Sequence, residues 1–274
     1  MSNFKRNKPN ELITRTLSGI IYAGFILLSL GTNSPYPFFV VFTIFYLLSI
    51  SEVIKIWRIP RYFGFSAAAF WLMNAVPFFK IPGLSFGSQA ALMITLTVYI
   101  AGLIFYTFFK HDLQTGMRFA GAFLYLAVPL TAVVFILLHP GGTTLILTVF
   151  VLIWANDTLA YLSGKNFGKH RLAPSISPKK TLEGLIGGIA GTIVVAFLLR
   201  HAGLALPDNN LTLLAWALSV SVLATLGDLF ESYLKRKSGL KDSGTIIPGH
   251  GGILDRLDSF FFVIPALFVY LILV

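Results

Sequence analysis

The stretch Thr225-Leu-Gly-Asp-Leu-Phe-Glu-Ser-Tyr-Leu-Lys-Arg-Lys-Ser-Gly-Leu-Lys-Asp-Ser-Gly-Thr-Ile-Ile-Pro-Gly-His-Gly-Gly-Ile-Leu-Asp-Arg-Leu-Asp-Ser259 concentrates acids, bases, glycines and a histidine between two long apolar runs. Charge is scarce elsewhere: Asp, Glu, Lys and Arg make up 12% of the 274 residues, about half of the roughly 25% usual in a water-soluble domain. Hydrophobic residues reach 56%, with 26 Phe and a mean hydropathy of +0.80. Working outward, apolar runs recur every twenty-five to thirty residues between short polar breaks, the spacing of helices of about 20 residues that cross a bilayer. The fold class is therefore an all-α polytopic membrane protein, and the charged stretch is one of its polar breaks.

Nine spans are predicted, at 13–31, 36–57, 62–80, 88–109, 117–138, 143–164, 182–201, 211–236 and 253–273. With a cytoplasmic N-terminus and an outward C-terminus, this division puts nineteen of the 21 Lys and Arg residues inside and leaves only Lys80 and Arg200 outside. That is the asymmetry that orients membrane proteins. The chain reads as one transmembrane domain, 1–274, with mainly scaffold helices over 1–140 and catalytic helices and cytoplasmic loops over 143–274.

Cysteine is absent, which excludes a disulfide framework, thiolate metal sites and cysteine nucleophiles. The basic N-terminal segment precedes an apolar run with no small-residue cleavage site, so the first helix is expected to be retained. The formal net charge of +10 is explained by topology. No basic domain with interleaved exposed aromatics points to nucleic acid.

Most polar residues near the spans have plain explanations. Arg15 and Thr16 anchor the first span at the interface. Glu52 is one turn from Lys55, where an i, i+3 ion pair is expected. Lys110, His111, Asp112 and Arg118 form a short solvated loop. Asp157 is different, because it lies about two turns inside an apolar run and must face the bundle interior or a water-filled cavity; Tyr161 follows four residues later on the same face.

The basic loop 165–181 ends with Ser177 as an expected N-cap and Pro178 at the first helical position. Free N–H groups there, flanked by Lys179 and Lys180, would form an anion site. Gly184, Gly187, Gly188 and Gly191 give the next span a face that another helix can approach closely. Pro207-Asp-Asn-Asn210 marks a helix start, and Gly239 a helix end.

Asp228 and Glu231 are spaced i, i+3, as are Asp255 and Asp258, so each helix can direct two carboxylates to one side. Eight residues separate Asp228 from Arg236, about 12 Å along a helix, which places Asp228 below the interface. Buried carboxylates require a compensating cation, from Arg256, the lysines or a divalent metal. The loop between them, 241–252, is rich in glycines that let backbone N–H groups approach a ligand. Carboxylates for a metal, Lys and Arg for phosphate oxygens, and close backbone are the parts used in phosphoryl and nucleotidyl transfer.

At Ser232-Tyr-Leu-Lys-Arg236, Lys241-Asp242, Gly244, Pro248-Gly-His-Gly-Gly252 and Asp255-Arg-Leu-Asp258 the chain resembles the bacterial-type phosphatidate cytidylyltransferases, also called CDP-diacylglycerol synthases. Further similarity lies at Asp157, Ala160-Tyr161, Gly164, Phe167-Gly168, Ser177 through Gly184, Gly187-Gly188 and Thr225 through Ser232. The resemblance implies the reaction of CTP with phosphatidic acid to give CDP-diacylglycerol and pyrophosphate, at the cytoplasmic face of a bacterial inner membrane. It implies Mg²⁺ as cofactor, with one or two metal ions, and a homodimer, which glycine-lined helix faces permit.

Under that resemblance Asp228 and Asp255 are the expected Mg²⁺ ligands, supported by Asp157, Asp258 and Glu231. Catalytic roles fall to Asp228, Asp255, Asp258, Lys241 and His250. The phosphates of CTP and phosphatidate fall to Ser177, Lys179, Lys180, Lys235, Arg236, Gly249, Gly251, Gly252 and Arg256. The rival readings are a CTP-dependent polyprenol or phytol kinase and, from a different class, an ion-coupled transporter. A transporter is expected to carry paired broken helices or a repeat between halves, and neither is visible.

Overall fold

The computed structural model describes residues 9–32, 34–78, 97, 100–101, 104–204, 206–249 and 251–273. Its elements in order are α1 (Pro9–Leu30), α2 (Pro35–Trp57), α3 (Phe63–Ala75) with a following 3-10 turn, α4 (Leu113–Leu138), α5 (Gly142–Phe167), β1 (Arg171–Ala173), β2 (Ser177–Thr181), α6 (Leu182–His201), α7 (Asn210–Lys237) and α8 (Leu254–Leu273). Residues 104–110 are also helical. Among the described residues, six helices (α2 and α4 to α8) are long and apolar enough to cross a membrane. Shorter apolar helical stretches run over Thr16–Leu30 and Phe63–Ala75. The end of the third expected span with Lys80, and most of the fourth at 88–109, lie outside the described residues, as does the side chain of Arg15.

Helix ends follow local chemistry. Asp112 is no free loop charge: its carboxylate caps α4 by accepting the Thr115 N–H at 2.7 Å, which holds its carboxyl below the usual range. Asn209 caps α7 by accepting the N–H groups of Leu211 and Thr212. Gly239 ends α7 with φ +72°, a conformation that costs glycine little.

The expected cap at Ser177 is corrected. Ser177 through Thr181 forms the second strand of an antiparallel hairpin, and the cap is Thr181, which accepts the Gly184 N–H at 3.1 Å. A residue preceding proline is pushed toward extended backbone, so Pro178 favours a strand at Ser177. Among the described residues the hairpin is the one pair of strands in a largely helical fold. Its Arg171 guanidinium donates to the Pro178 carbonyl, and Glu183 on α6 accepts the N–H groups of Lys169 and His170.

The glycine face of α6 packs on α5. A Cβ at Gly187 would collide with the Ser163 side chain, one at Gly191 with Leu159, and one at Gly188 would lie 2.7 Å from Asn156 Oδ1. These glycines are consumed inside the chain, so they carry no argument for a homodimer. Asn156 also accepts a short hydrogen bond from Ser221 of α7, tying three helices together. Gly188→Leu should therefore lower the thermal stability of the detergent-solubilised protein by about 1–3 kcal/mol, the usual cost of forcing side-chain volume into a filled contact.

The core is an aromatic column. Phe150 of α5 stacks on Phe260 of α8 with centroids 4.4 Å apart, and Phe38 and Phe42 of α2 pack against them edge-on. Side chains such as Leu28, Phe65, Leu198 and Ile272 point outward, as a chain surrounded by lipid allows. The C-terminal ends of α2 and α7 meet at one end of the bundle: the Arg58 guanidinium donates to the Ser238 carbonyl, and the Ser238 hydroxyl to that of Ile56. The basic cluster of 235–237 lies at this same end.

Candidate active site

Three helices bring carboxylates together at that end. Asp157 from α5 and Asp255 and Asp258 from α8 line a cavity of about 290 Å³, which Arg256, Tyr22 and Trp154 also line. Asp228 of α7 stands beside Gly227, whose Cα packs against the backbone of Asp258. The close approach of α7 and α8 depends on Gly227, where a Cβ would meet the backbone of Asp258 and Ser259. Ser259 reinforces the contact by donating to the Ala224 carbonyl at 3.0 Å. The Tyr22 hydroxyl donates to the Arg256 carbonyl at 3.1 Å, and Gly19, Tyr22 and Ala23 make α1 a further wall of the cavity.

The two expected metal ligands share one feature. Asp228 Oδ2 is 2.6 Å from Lys180 Nζ, and Asp255 Oδ1 is 2.6 Å from Lys235 Nζ. Each carboxylate thus carries an ammonium where a cation is required. Lys180 reaches α7 from the hairpin, which Glu183 fastens to α6. Ser232 donates to the second oxygen of Asp228 at 3.1 Å. Lys235 is nearly buried and also lies 3.5 Å from Glu231, itself 1% exposed.

Asp255 has a second task. Its Oδ2 accepts the backbone N–H groups of Ser243 and Gly252, at 2.9 and 2.8 Å. The glycine loop folds back on itself there, with the Ile247 N–H donating to the Gly251 carbonyl at 2.9 Å. Gly249 and Gly251 take φ of +76° and +90°, and a Cβ at Gly251 would meet Asp255. Gly252 is buried in this turn. Lys179, Lys241, Arg236 and Arg256 are exposed at the same end, with Arg236 donating to the Leu240 carbonyl. Ser177 is half-buried in β2, and His250 lies outside the described residues.

Glu52 corrects the sequence reading. It is 4% exposed and turned away from Lys55: it accepts the Ser243 hydroxyl at 2.8 Å and the N–H groups of Ile253 and Leu254 at 3.0 and 2.9 Å. A helix start with free N–H groups calls for an acidic partner, but the segment before Leu254 contains no acid placed to cap it. That gap is the only sequence signal that could have found Glu52, which lies 201 residues away.

Among the described residues no three His, Asp or Glu side chains converge tightly enough to hold a metal by themselves. Mg²⁺ is commonly held through one or two carboxylates with water and substrate phosphates completing the shell. The donors are hard oxygens, and the two lysines already mark where positive charge is needed.

The sequence profile of the cytidylyltransferase family matches residues 13–274. A phosphatidate cytidylyltransferase of Staphylococcus epidermidis is 39% identical over 218 residues, covering 73% of this chain and 83% of the relative. The corresponding proteins of Staphylococcus aureus and Staphylococcus haemolyticus are 40% and 37% identical, with the same coverage of each chain. The chain belongs to the cytidylyltransferase family.

Proposed function

We propose that this chain is a phosphatidate cytidylyltransferase, which joins CTP to phosphatidic acid and releases pyrophosphate. The observation that carries the reading is the meeting of Asp157, Asp255 and Asp258 at one cavity, with Asp228 on the neighbouring helix beside Gly227, which packs on Asp258, and with Lys180 and Lys235 held on Asp228 and Asp255. The reaction brings two polyanions together, and in water or lipid that encounter is repulsive without fixed cations.

An oxygen of the phosphatidate phosphate forms a new bond to the α-phosphorus of CTP, and the bond from that phosphorus to the β-bridging oxygen breaks. The lipid phosphate arrives ionised, so no side chain has to act as nucleophile or remove a proton. Asp228 and Asp255 are the residues that would hold Mg²⁺, with Asp157, Asp258 and Glu231 around them. When bound, the ion neutralises phosphate charge and fixes the phosphate geometry.

Lys180 and Lys235 then have phosphate oxygens as alternative partners, and exposed Lys179, Lys241, Arg236 and Arg256 surround the approach. The turn at Gly249, Gly251 and Gly252 presents close backbone, and His250 sits within it in sequence. The full topology we propose has nine spans with an inward N-terminus and an outward C-terminus in a bacterial inner membrane. The basic end, and with it the site, then faces cytoplasmic CTP.

Label placement tests the reaction. Purified protein with phosphatidic acid, Mg²⁺ and CTP labelled at the α or γ phosphorus should move the α label into lipid and the γ label into pyrophosphate. A γ label in lipid would instead identify the CTP-dependent kinase.

A further inference from the structure

We infer that Glu52 is a positioning residue for the glycine loop and for Asp255, so that a helix of the N-terminal half sets the catalytic geometry. The inference rests on the proposed site. Its basis is a clamp of two carboxylates on one serine: Ser243 donates its hydroxyl to Glu52 at 2.8 Å and its N–H to Asp255 at 2.9 Å. Glu52 also accepts the N–H groups of Ile253 and Leu254, the residues that lead into α8. The same carboxylate thus holds the start of the loop and its end.

The neighbouring glycines are shaped by this carboxylate. A Cβ at Gly244 would collide with the Glu52 carboxylate, and one at Gly252 with both Glu52 and the Ser243 hydroxyl. Two of the loop's glycines are therefore required by Glu52, in addition to any need for close backbone at a phosphate. Buried ions are costly unless fully hydrogen-bonded, and here three donors satisfy one carboxylate. A group held this tightly fixes the direction from which α8 presents Asp255, Arg256 and Asp258. It does not itself line the cavity.

The decisive variants are Glu52→Gln, which keeps shape but replaces one acceptor oxygen with a donor, and Lys55→Ala, which tests the ion pair expected from sequence. Turnover and KM for CTP are measured per folded molecule in detergent, beside amide hydrogen exchange. In Glu52→Gln we expect faster exchange at Ser243 and at 252–254, and a fall in kcat of about 10²-fold, the size of effect that a displacement of about 1 Å can have. Lys55→Ala should match the wild type. If Glu52→Gln loses yield or melting temperature while kcat and KM per folded molecule stay at wild-type values, Glu52 is only structural and the inference falls. Wild-type protein without cytidylyl transfer would instead refute the proposed reaction, and the exchange data would still judge the clamp.

Discussion

Asp228→Asn lowers Mg²⁺-dependent turnover of CTP and phosphatidate by about 10²–10³-fold, the range seen when one preorganised charge-stabilising group is removed. The substitution preserves shape and the hydrogen bond from Ser232, and Asp228 is only partly buried, so the helix packing should survive. What disappears is the negative charge that now holds Lys180 at 2.6 Å. The loss should fall mainly on kcat, with helicity and detergent melting temperature near wild type. Retention of near-normal Mg²⁺-dependent activity would remove Asp228 from the metal site.

Lys235→Met acts on stability as well as turnover. Its ammonium is the cation beside two acids of low exposure, at 2.6 Å from Asp255 and 3.5 Å from Glu231. Removing one partner of a buried ion pair leaves its counter-charge unpaired, with a cost of about 3–5 kcal/mol. The same change frees Asp255, the residue that fastens Ser243 and Gly252, so activity should be lost in the molecules that remain folded. Adding Glu231→Gln removes one of the stranded charges and should restore part of the stability but not the turnover. Denaturant unfolding in detergent reads the first effect and the labelled-CTP assay the second. A loss of under about 1 kcal/mol, typical of an exposed pair, would contradict the burial of this cluster.

Several features were legible because they depend on neighbours in sequence. Apolar run lengths and the i, i+3 acids follow from helical periodicity, the helix start at 207–210 and the end at Gly239 from local residue chemistry, and the helix boundaries of α6 coincide with the expected span at 182–201. The glycines at 184, 187, 188 and 191 announced a close helix contact, because a missing Cβ has few other uses on an apolar face. Their partner, α5, could not be read from spacing. Ser177 misled because the Ser-Pro pair suits a helix start and an extended strand equally well, and the hairpin pairing with Ala173 decided between them.

Composition and hydropathy determined that this chain lives in a membrane, and its motif spacing determined which acids and bases to consider. Those are one-dimensional properties, set by residues within a few turns of each other. Only the packed bundle decided that Lys180 faces Asp228, that Lys235 faces Asp255, and that Glu52 faces a loop 191 and more residues away. The physical reason is that a charge in a low-dielectric interior pairs with whatever opposite charge or N–H donor packing brings within about 3 Å. Thr225 to Ser259 therefore supplies the acids, but α2, α5 and the 171–181 hairpin set where they stand.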